Sequence, residues 1–560
     1  MDAKVIQPFS SKFETVRVQI SREAFENSGI GIFSSEKIPF ADRTGPDFAQ
    51  NLVTLLVFRV KALQKQGRSF PDGIHIYELG AGTGLLAKRV LDLLKSNHKH
   101  LYNKIVLHIS DISKPMILEL KSSNVFAIHK RHVVFETIDF IKPKFTHKPL
   151  LVYFTNLLDA LPYHRQIQIQ DGQIFEFQIQ TALKKDAQII DTNSYPPKVL
   201  EEKDIAKLIL EPSSKRRLIL AFQILTVLKE EGKFTPIDNV PNISKEELSD
   251  IKNLVISLNK TEPFNYSYPV KIALRTIIGS LETGGFVFFS DFGVTSEGRG
   301  PDLQLEIGRV MAFSVDFPSL MQYAQTGGKT YLTSNPQGYP QEMLIDTLPD
   351  DKQIEILFKK TSVADLRKQV NDFLDKAKLA LSENGQITPL YNSLPEEIKS
   401  DYVLLNSLAL LLHRANFYKE ADFYADILFQ KYGHAVGIIY NLVKGKAAQE
   451  EGNFKLAEEF YKQAIESQKG FLAYGYLGEL YWQQGRFLEY IGILKEYLKH
   501  TRSGDYLRIM FSIAQAEGKL YGEPTAKKTL TELINTGQKL KTLSEPEKEI
   551  LKQAETALVL

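Results

Sequence analysis

Three glycines alternate with other residues directly after an acidic side chain. Gly80, Gly82 and Gly84 follow Glu78 in the segment IHIYELGAGTGLLAKRVLDLLK. Glycine lets the backbone come into contact with a ligand and takes conformations that a Cβ atom forbids. A helix predicted to begin at about Leu85 would present unpaired N–H groups to an anionic group. The segment therefore predicts a strand, a turn and a helix that bind a nucleotide-like ligand.

The glycine spacing discriminates between classes of nucleotide ligand. The nicotinamide fingerprint G-x-G-x-x-G requires glycine at the position of Leu85. A P-loop requires G-K-[ST], which does not follow. The pattern E-L-G-x-G-x-G resembles the first motif of class I S-adenosylmethionine-dependent methyltransferases, although a purely structural glycine turn is the alternative. The resemblance implies S-adenosyl-L-methionine as cofactor. It places the cofactor contacts at Glu78, Gly80, Ala81, Gly82 and Gly84.

Acidic residues end the next two predicted strands. A ribose needs a carboxylate that accepts hydrogen bonds from its hydroxyls, and in doubly wound folds this group ends the second strand. The run KIVLHISD places Asp111 there. The run HVVFETID ends in Asp139, which we expect either to face the adenine edge or to be a solvated acid at a strand end.

The elements that must position these residues are short apolar runs. IHIYEL, KIVLHIS, HVVFETI and PLLVYFT predict buried strands of a parallel sheet. A charged helical stretch over about 186–267 predicts an insertion, and the strand pattern returns in GGFVFFSDFG. Because a chain that leaves a sheet and re-enters it forms one domain, residues 1–340 predict one α/β domain. Its expected fold is a doubly wound, Rossmann-like sheet with a helical insertion.

The sequence changes character after Pro340. Residues 341–400 predict a connecting segment, with a last strand in QIEILFKKTS and a helix in SVADLRKQVNDFLDKAKLALSE. From residue 401 to 560 nearly every segment is helical, and Gly445 pairs with Gly478 at the same offset as Gly452 with Gly485. A period of about 34 residues resembles tetratricopeptide repeats. The alternative is a nonrepetitive helical bundle.

A further resemblance lies in the fourth strand and beyond it. PLLVYFTNLLDALPYHR resembles the N-E-L-L-D-A-L-P-V-H pattern of the MidA-like methyltransferases, which are linked to assembly of respiratory complex I. GGFVFFSDFG and AFSVDFPSLMQYA are similar to two later segments of that family. The resemblance implies methylation of arginine. Asn156 stands where the family carries glutamate, and an amide can hydrogen-bond but cannot take a proton.

The candidate catalytic residues follow the same strand. Methyl transfer is an in-line displacement, and positioning of the two reactants can supply about 7–11 kcal/mol. A polar group beside the acceptor then accepts a proton or orients a lone pair. We expect Asp159 and Asn156 to do this, with a helix cap as the alternative for Asp159. Asp291 either lines the substrate cleft or bonds a turn, and His164 is interpreted as a structural polar residue.

Bulk composition excludes several classes of site. The chain has no cysteine, which excludes disulfides, thiolate metal sites and cysteine nucleophiles, and no metal site is predicted. A formal net charge of +2 favours neither nucleic acid nor membrane as a partner. No apolar run approaches the ~20 residues of a membrane helix, and the N-terminal segment lacks the apolar core of a secretory signal. We expect a cytoplasmic location.

Three functions remain open at this point. The first is a protein methyltransferase whose repeats recruit its substrate or a partner. The second is a small-molecule methyltransferase whose repeats serve oligomerisation, for example as a homodimer. The third is a catalytically weak scaffold or assembly factor that binds S-adenosylmethionine. Repeat domains carry concave surfaces that bind peptides or helices, which favours the first function.

Overall fold

The computed structural model shows an α/β region followed by an array of helices. The described residues are 4–27, 29–30, 32, 46–191, 197–211, 215–294, 304–307, 310–325, 327–333, 341–348, 354, 357–358, 364–382, 387–399, 401–468, 471–499, 503–541 and 543–559.

A seven-stranded sheet forms the centre of the α/β region. Its strands are β1 (Ile74–Leu79), β2 (Ile105–Asp111), β3 (Val133–Thr137), β4 (Leu151–Thr155), β5 (Phe286–Asp291), β6 (Lys329–Thr333) and β7 (Gln341–Asp346). They have the order β6-β7-β5-β4-β1-β2-β3, and β7 runs antiparallel to both neighbours while β3, β2, β1, β4 and β5 are parallel. The order reverses between β1 and β4, which creates a switch point where ligands bind in such sheets.

Separate hydrophobic cores cover the two faces of this sheet. Ile76 and Leu107 pack on one face against helices that include Pro46–Lys65. Val152 packs on the other face against helices that include Tyr268–Ser280. Strands β1, β5 and β7 are buried along their whole length. The nearly continuous apolar runs from which β1 and β5 were predicted follow from this burial, whereas β7 was not predicted from the sequence. The helices of the α/β region outside the insertion are Val16–Asn27, Pro46–Lys65, Leu85–Asn97, Lys99–Tyr102, Lys114–Ser122, Tyr268–Ser280 and Phe317–Ala324.

A second, antiparallel sheet lies partly within the predicted insertion. The prediction of a helical insertion over about 186–267 was wrong in part, because this stretch also supplies strands. The strand Leu228–Pro236 exposes most of its charged residues and pairs with Gln173–Leu183 along its whole length. Such pairing overrides local propensity. The five strands are Val5–Ser11, Arg165–Gln170, Gln173–Leu183, Leu228–Pro236 and Phe264–Tyr266.

Smaller elements complete the α/β region. They include three short strand pairs, two of which lie in the chain between β5 and β6. The remaining helices of the insertion are Glu202–Leu210, Lys215–Ile219, Ala221–Val227 and Lys245–Ser257. The remaining strands are Gln188–Asp191, Lys198–Glu201, Gly293–Val294, Gln304–Ile307, Val310–Phe313 and Val315–Asp316. The 3-10 turns are Lys12–Glu14, Ala127–His129 and Ile237–Asn239.

The sheet continues past the boundary predicted at residue 340. Strand Gln341–Asp346 lies between two other strands of the sheet. The predicted strand in QIEILFKKTS was wrong where it can be compared: Ile354 and Phe358 are helical, and the other residues of this run apart from Leu357 lie outside the described residues. Both side chains are buried in the core, as residues four apart on one helix face can be.

The C-terminal region consists of helices, as predicted, and successive long helices pack on one another. Gly452 and Gly485 occupy equivalent turns with φ of 79° and 68°. The assignment to tetratricopeptide repeats stays a prediction. No helix in the described residues is long and apolar enough to cross a membrane. The helices are Ala364–Ser382, Thr388–Asn392, Glu396–Lys399, Tyr402–Arg414, Tyr418–Tyr432, Gly437–Glu450, Phe454–Gln468, Phe471–Gln483, Phe487–Leu498, Ser503–Tyr521, Glu523–Lys539 and Glu545–Val559, with a 3-10 turn at Gly433–Val436.

The helical array contacts the α/β region through the hairpin that contains Gln188. The Gln188 amide donates to the carbonyl of Lys539 at 2.9 Å and accepts from the amide of Lys541 at 2.7 Å. Ile190 has no exposed surface and packs among side chains of the last helices, Leu494 included. The two regions therefore share a packed contact.

Candidate active site

A cleft opens where the order of the sheet reverses. The carboxyl ends of β1, β2 and β4 supply one wall, and the helix Val16–Asn27 supplies part of the other. Of the residues predicted from the sequence, Glu78, Gly80, Ala81, Gly82, Asp111, Asp139, Asn156 and Asp159 line this cleft.

The glycine turn has the backbone that its sequence predicts. Gly80, Gly82 and Gly84 have φ values of 66°, 52° and 71°, in the region that favours glycine. A Cβ atom on Gly80 would lie 2.9 Å from Cδ1 of Leu157, so this glycine also permits a close approach of the β4 turn. Gly84 does not line the cleft. A Cβ atom there would lie 2.9 Å from Leu120, so its role is to pack the start of the helix.

Asp111 ends β2 and connects two parts of the cleft wall. Its carboxylate accepts hydrogen bonds from the amides of Gly82 at 3.2 Å and Ser113 at 2.9 Å. Burial raises the pKa of Asp111, and the backbone N–H donors oppose this rise. The carboxylate thus lies beside the glycine turn, where a ribose acceptor is expected.

Glu78 is the most deeply buried acid of the cleft wall. It is 3% exposed, and its Oε2 has no hydrogen-bond partner among the described residues. Burial and the nearby Asp111 carboxylate raise the pKa of Glu78 well above its ordinary value. A buried oxygen without a partner is costly, and hydroxyl donors of a bound ligand would satisfy it.

Asp139 lies at the same wall, just after β3. Its Oδ1 accepts a hydrogen bond from the amide of Ile141 at 2.9 Å. Ile138 and Phe140 line the cleft beside it. The arrangement suits an adenine, since the base has an apolar face and a polar edge. The role of Asp139 stays a prediction.

Asn156 follows β4 in a backbone conformation that is unusual for a residue with a side chain. Its φ is 47°, and its amide donates to the carbonyl of Ser290 at 3.0 Å. Its side-chain Oδ1 is buried without a partner among the described residues. Asn is one of the residue types that tolerate this conformation. Asn156 can therefore adopt the positive φ of this turn and still present an acceptor oxygen.

Asp291 holds the turn that carries both predicted catalytic residues. Its carboxylate has no exposed surface and accepts hydrogen bonds from four amides, those of Leu157, Leu158, Asp159 and Phe292, at 2.8–3.2 Å. Asp291 does not line the cleft. Of its two predicted roles, the structure supports the bond to a turn.

Asp159 is 4% exposed and lines the cleft. The residues after it form turns, and no helix begins there. The alternative of a helix cap for Asp159 was therefore wrong. Burial and the Asp159 carboxylate raise the pKa of Asp291, while the N–H donors to Asp291 oppose the rise.

His164 contacts the backbone of the same turn, which follows β4. Its Nε2 lies 2.8 Å from the carbonyl of Leu158, and its ring stacks on Phe313 at 5.1 Å between centroids. Burial lowers the pKa of His164 to about 4, so the ring is neutral. His164 does not line the cleft, in agreement with the structural role predicted for it.

The wall of the cleft opposite the sheet was not predicted from the sequence. Arg22 and Glu26 form an ion pair at 2.6 Å on the helix Val16–Asn27, and Arg22 lies 5.7 Å from the ring centroid of Tyr163. Val310, Met311 and Ala312 also line the cleft. No motif marks these residues, because they reach the cleft only through packing of distant segments.

Residues 55–302 match a family model described as "Putative S-adenosyl-L-methionine-dependent methyltransferase". This range contains the glycine turn, Asp111 and the β4 turn. The chain is an S-adenosylmethionine-dependent methyltransferase. Its cofactor is S-adenosylmethionine. No curated protein matches the sequence.

Several solved structures are similar to this methyltransferase. A Burkholderia thailandensis protein bound to S-adenosyl-homocysteine is 13% identical, over 58% of this chain and 73% of its own, with a TM-score of 0.35. A native structure from the same organism is 14% identical, over 58% and 72%, with a TM-score of 0.36. DhpI in complex with SAH is 11% identical, over 60% and 97%, with a TM-score of 0.25.

The residues present fit this cofactor. Glu78 offers a buried oxygen without a described partner, Asp111 offers a carboxylate beside the glycine turn, and the turn has no Cβ atoms at its alternate positions. Ribose hydroxyls are donors that match such oxygens. Glu78, Gly80, Gly82 and Asp111 are therefore the residues that would hold the cofactor, and each assignment stays a prediction.

Proposed function

We propose that the enzyme methylates a cationic nitrogen, of the guanidinium type, on a protein substrate. The observation that carries the proposal is the set of oxygen acceptors at the β4 end of the cleft. Asn156 has an acceptor oxygen without a described partner, and the carboxylate of Asp159 lines the same cleft. A guanidinium has donors in a planar fork and no acceptor, so it matches such a surface.

The residues have different tasks in this proposal. S-adenosylmethionine, when bound, supplies a methyl group on a sulfonium. Asn156 Oδ1 accepts a hydrogen bond from the acceptor nitrogen and orients it. Asp159 takes the proton that the nitrogen loses as its new bond to carbon forms. Because the amide of Asn156 cannot take a proton, Asp159 is the proton acceptor of the two residues.

The helical array supplies the reason for a protein substrate. Three alternate helices of the array, Tyr418–Tyr432, Phe454–Gln468 and Phe487–Leu498, each expose at least one large apolar side chain. Helical repeats present extended surfaces that bind peptides or helices, and these side chains would supply apolar contacts to such a partner. We therefore propose that the array recruits the substrate. The exposed residues include Phe423 (51%), Phe454 (40%) and Leu488 (60%).

Radiolabelled S-adenosylmethionine tests the substrate class directly. The full-length enzyme is incubated with fractionated cell lysate, and protein is separated from small molecules before counting. We expect label in discrete protein bands, and no label with Gly82→Val, whose added side chain crowds the cofactor turn. Label confined to the small-molecule fraction would overturn the protein substrate.

Two variants test the acceptor end of the cleft. Asp159→Asn and Asn156→Ala should lower kcat/KM by about ten- to hundredfold, from the ~1.5–3 kcal/mol of a hydrogen bond to a charged group. Their affinity for S-adenosylhomocysteine should stay within about twofold of wild type, because neither residue holds the cofactor in this proposal. Mass spectrometry of the labelled protein identifies the modified side chain. A methylated residue other than arginine would contradict the guanidinium assignment.

A further inference from the structure

Three histidines from separate segments meet at the end of the sheet opposite the cleft. His75 begins β1, His108 lies in β2, and His147 lies in the segment before β4. One ring nitrogen from each lies within 4.8 Å of those of the other two. His75 and His108 are 7% and 1% exposed, whereas His147 faces solvent. The cluster is therefore reachable from solvent on one side only.

The rings are close enough to share one ion. Nδ1 of His75 and Nε2 of His108 are 2.9 Å apart. The rings of His75 and His147 are stacked, with centroids 4.1 Å apart and an angle of 2° between the planes. Zinc binds histidine nitrogen at about 2.0–2.1 Å. Because the imidazole lone pairs lie in the ring planes, the exposed ring of His147 has to turn out of its stack on His75 before all three nitrogens point at one ion.

The other ring nitrogen of each histidine has a polar neighbour. Nε2 of His75 lies 3.2 Å from the carbonyl of Asp72. Nδ1 of His108 lies 3.3 Å from a carboxylate oxygen of Glu136, and Nδ1 of His147 lies 3.3 Å from the hydroxyl of Thr146. Histidine ligands of metals characteristically donate their second N–H to a carboxylate or a carbonyl. Nδ1 of His75 faces Nε2 of His108, and a metal ion would replace the proton of the hydrogen bond between them.

We propose that His75, His108 and His147 bind one divalent transition-metal ion, with zinc as the reference ion. Imidazole suits zinc, copper and nickel, whereas magnesium and calcium prefer oxygen ligands. Three histidines leave a fourth tetrahedral position for water on the exposed side. The ion would join β1, β2 and the segment that contains His147, away from the methyl-transfer cleft, and would therefore stabilise the fold.

Calorimetric titration of the metal-free, full-length protein with zinc chloride tests the site. Wild type should bind one zinc ion. His147→Ala should bind at least about tenfold more weakly, a loss typical of disturbed metal sites. His147 is exposed, so this variant should fold, which circular dichroism checks. The matched control is His100→Ala, which removes another exposed histidine and should bind zinc within about twofold of wild type.

Cobalt(II) and heat provide independent readouts. Cobalt(II) in the site should give the visible absorption of tetrahedral coordination in wild type and His100→Ala, and lose it in His147→Ala. Zinc should raise the Tm of wild type but not of His147→Ala, because an ion that binds only the folded state stabilises it. Zinc affinity weaker than ~10 μM, or equal affinity in wild type and His147→Ala, would overturn the site.

Discussion

Replacement of Asp291 by asparagine tests how the catalytic turn is held. Oδ2 of Asp291 accepts from Leu157 at 3.0 Å and Leu158 at 2.8 Å, and Oδ1 accepts from Asp159 at 3.2 Å and Phe292 at 2.8 Å. An amide keeps only one of the two oxygens and turns the other position into a donor. Asp291→Asn therefore leaves two buried N–H groups without an acceptor.

The structure gives the size of the effect. Each unsatisfied buried group costs about 1–3 kcal/mol, so Asp291→Asn should lower the free energy of unfolding by about 2–6 kcal/mol. A urea titration measures this change in the free energy of unfolding, with the loss of S-adenosylhomocysteine binding as the signal for unfolding. Methyl transfer should fall as well, because the backbone of Asn156 and Asp159 loses its support.

Ser290→Ala is the matched control for this experiment. Ser290 precedes Asp291 and is equally buried, but its hydroxyl has no partner among the described residues. Its removal should change the free energy of unfolding by no more than about 0.5 kcal/mol. If Asp291→Asn also stays within about 0.5 kcal/mol of wild type, the reasoning about the four hydrogen bonds is refuted.

Further predictions concern the cofactor cradle and pH. Asp111→Ala should weaken S-adenosylhomocysteine binding about ten- to hundredfold by calorimetry; a loss below about twofold would assign the ribose elsewhere. Gly80→Ala should weaken it as well, because its φ is 66° and its Cβ would crowd Leu157. Gly67→Ala is the control, because Gly67 also has a positive φ but a Cβ atom there would have no neighbour within 4 Å. Equal affinities of Gly80→Ala and Gly67→Ala for S-adenosylhomocysteine would contradict the crowding. The pKa of His164 is about 4 in the fold against 6.5 ordinarily, so the unfolded chain binds its proton first and acid destabilises the fold. In urea titrations, the free energy of unfolding should fall by about 3 kcal/mol as the pH falls from about 6.5 to 4. The same dependence of the free energy of unfolding on pH in His164→Phe would disprove this role of His164.

Local features of the sequence were enough to predict the cofactor side of the site. The glycine turn needs positive φ at alternate positions, and only the residue type decides this. Asp111 ends an apolar run, so its position follows from the end of the strand. The strands β1 to β5 are apolar enough to be recognised because both faces of the sheet are covered.

Other features depended on residues that are far apart in the sequence. The helix Val16–Asn27 forms a wall of the cleft, and Asp291 reaches the β4 turn only because β5 pairs with β4. The strand Leu228–Pro236 has a charged sequence that resembles an exposed helix, and only its partner strand makes it a strand.

The histidine cluster shows the same division most clearly. His75, His108 and His147 have no metal-binding spacing, because a strand and further chain separate each from the next. Parallel pairing of β1 with β2 brings the first two together, and the chain before β4 adds the third. Strands β1 to β5 and the glycine turn could be predicted from the sequence alone, since these depend on neighbouring residues. The tertiary structure decided which distant side chains meet, since sheet register and packing involve the whole domain.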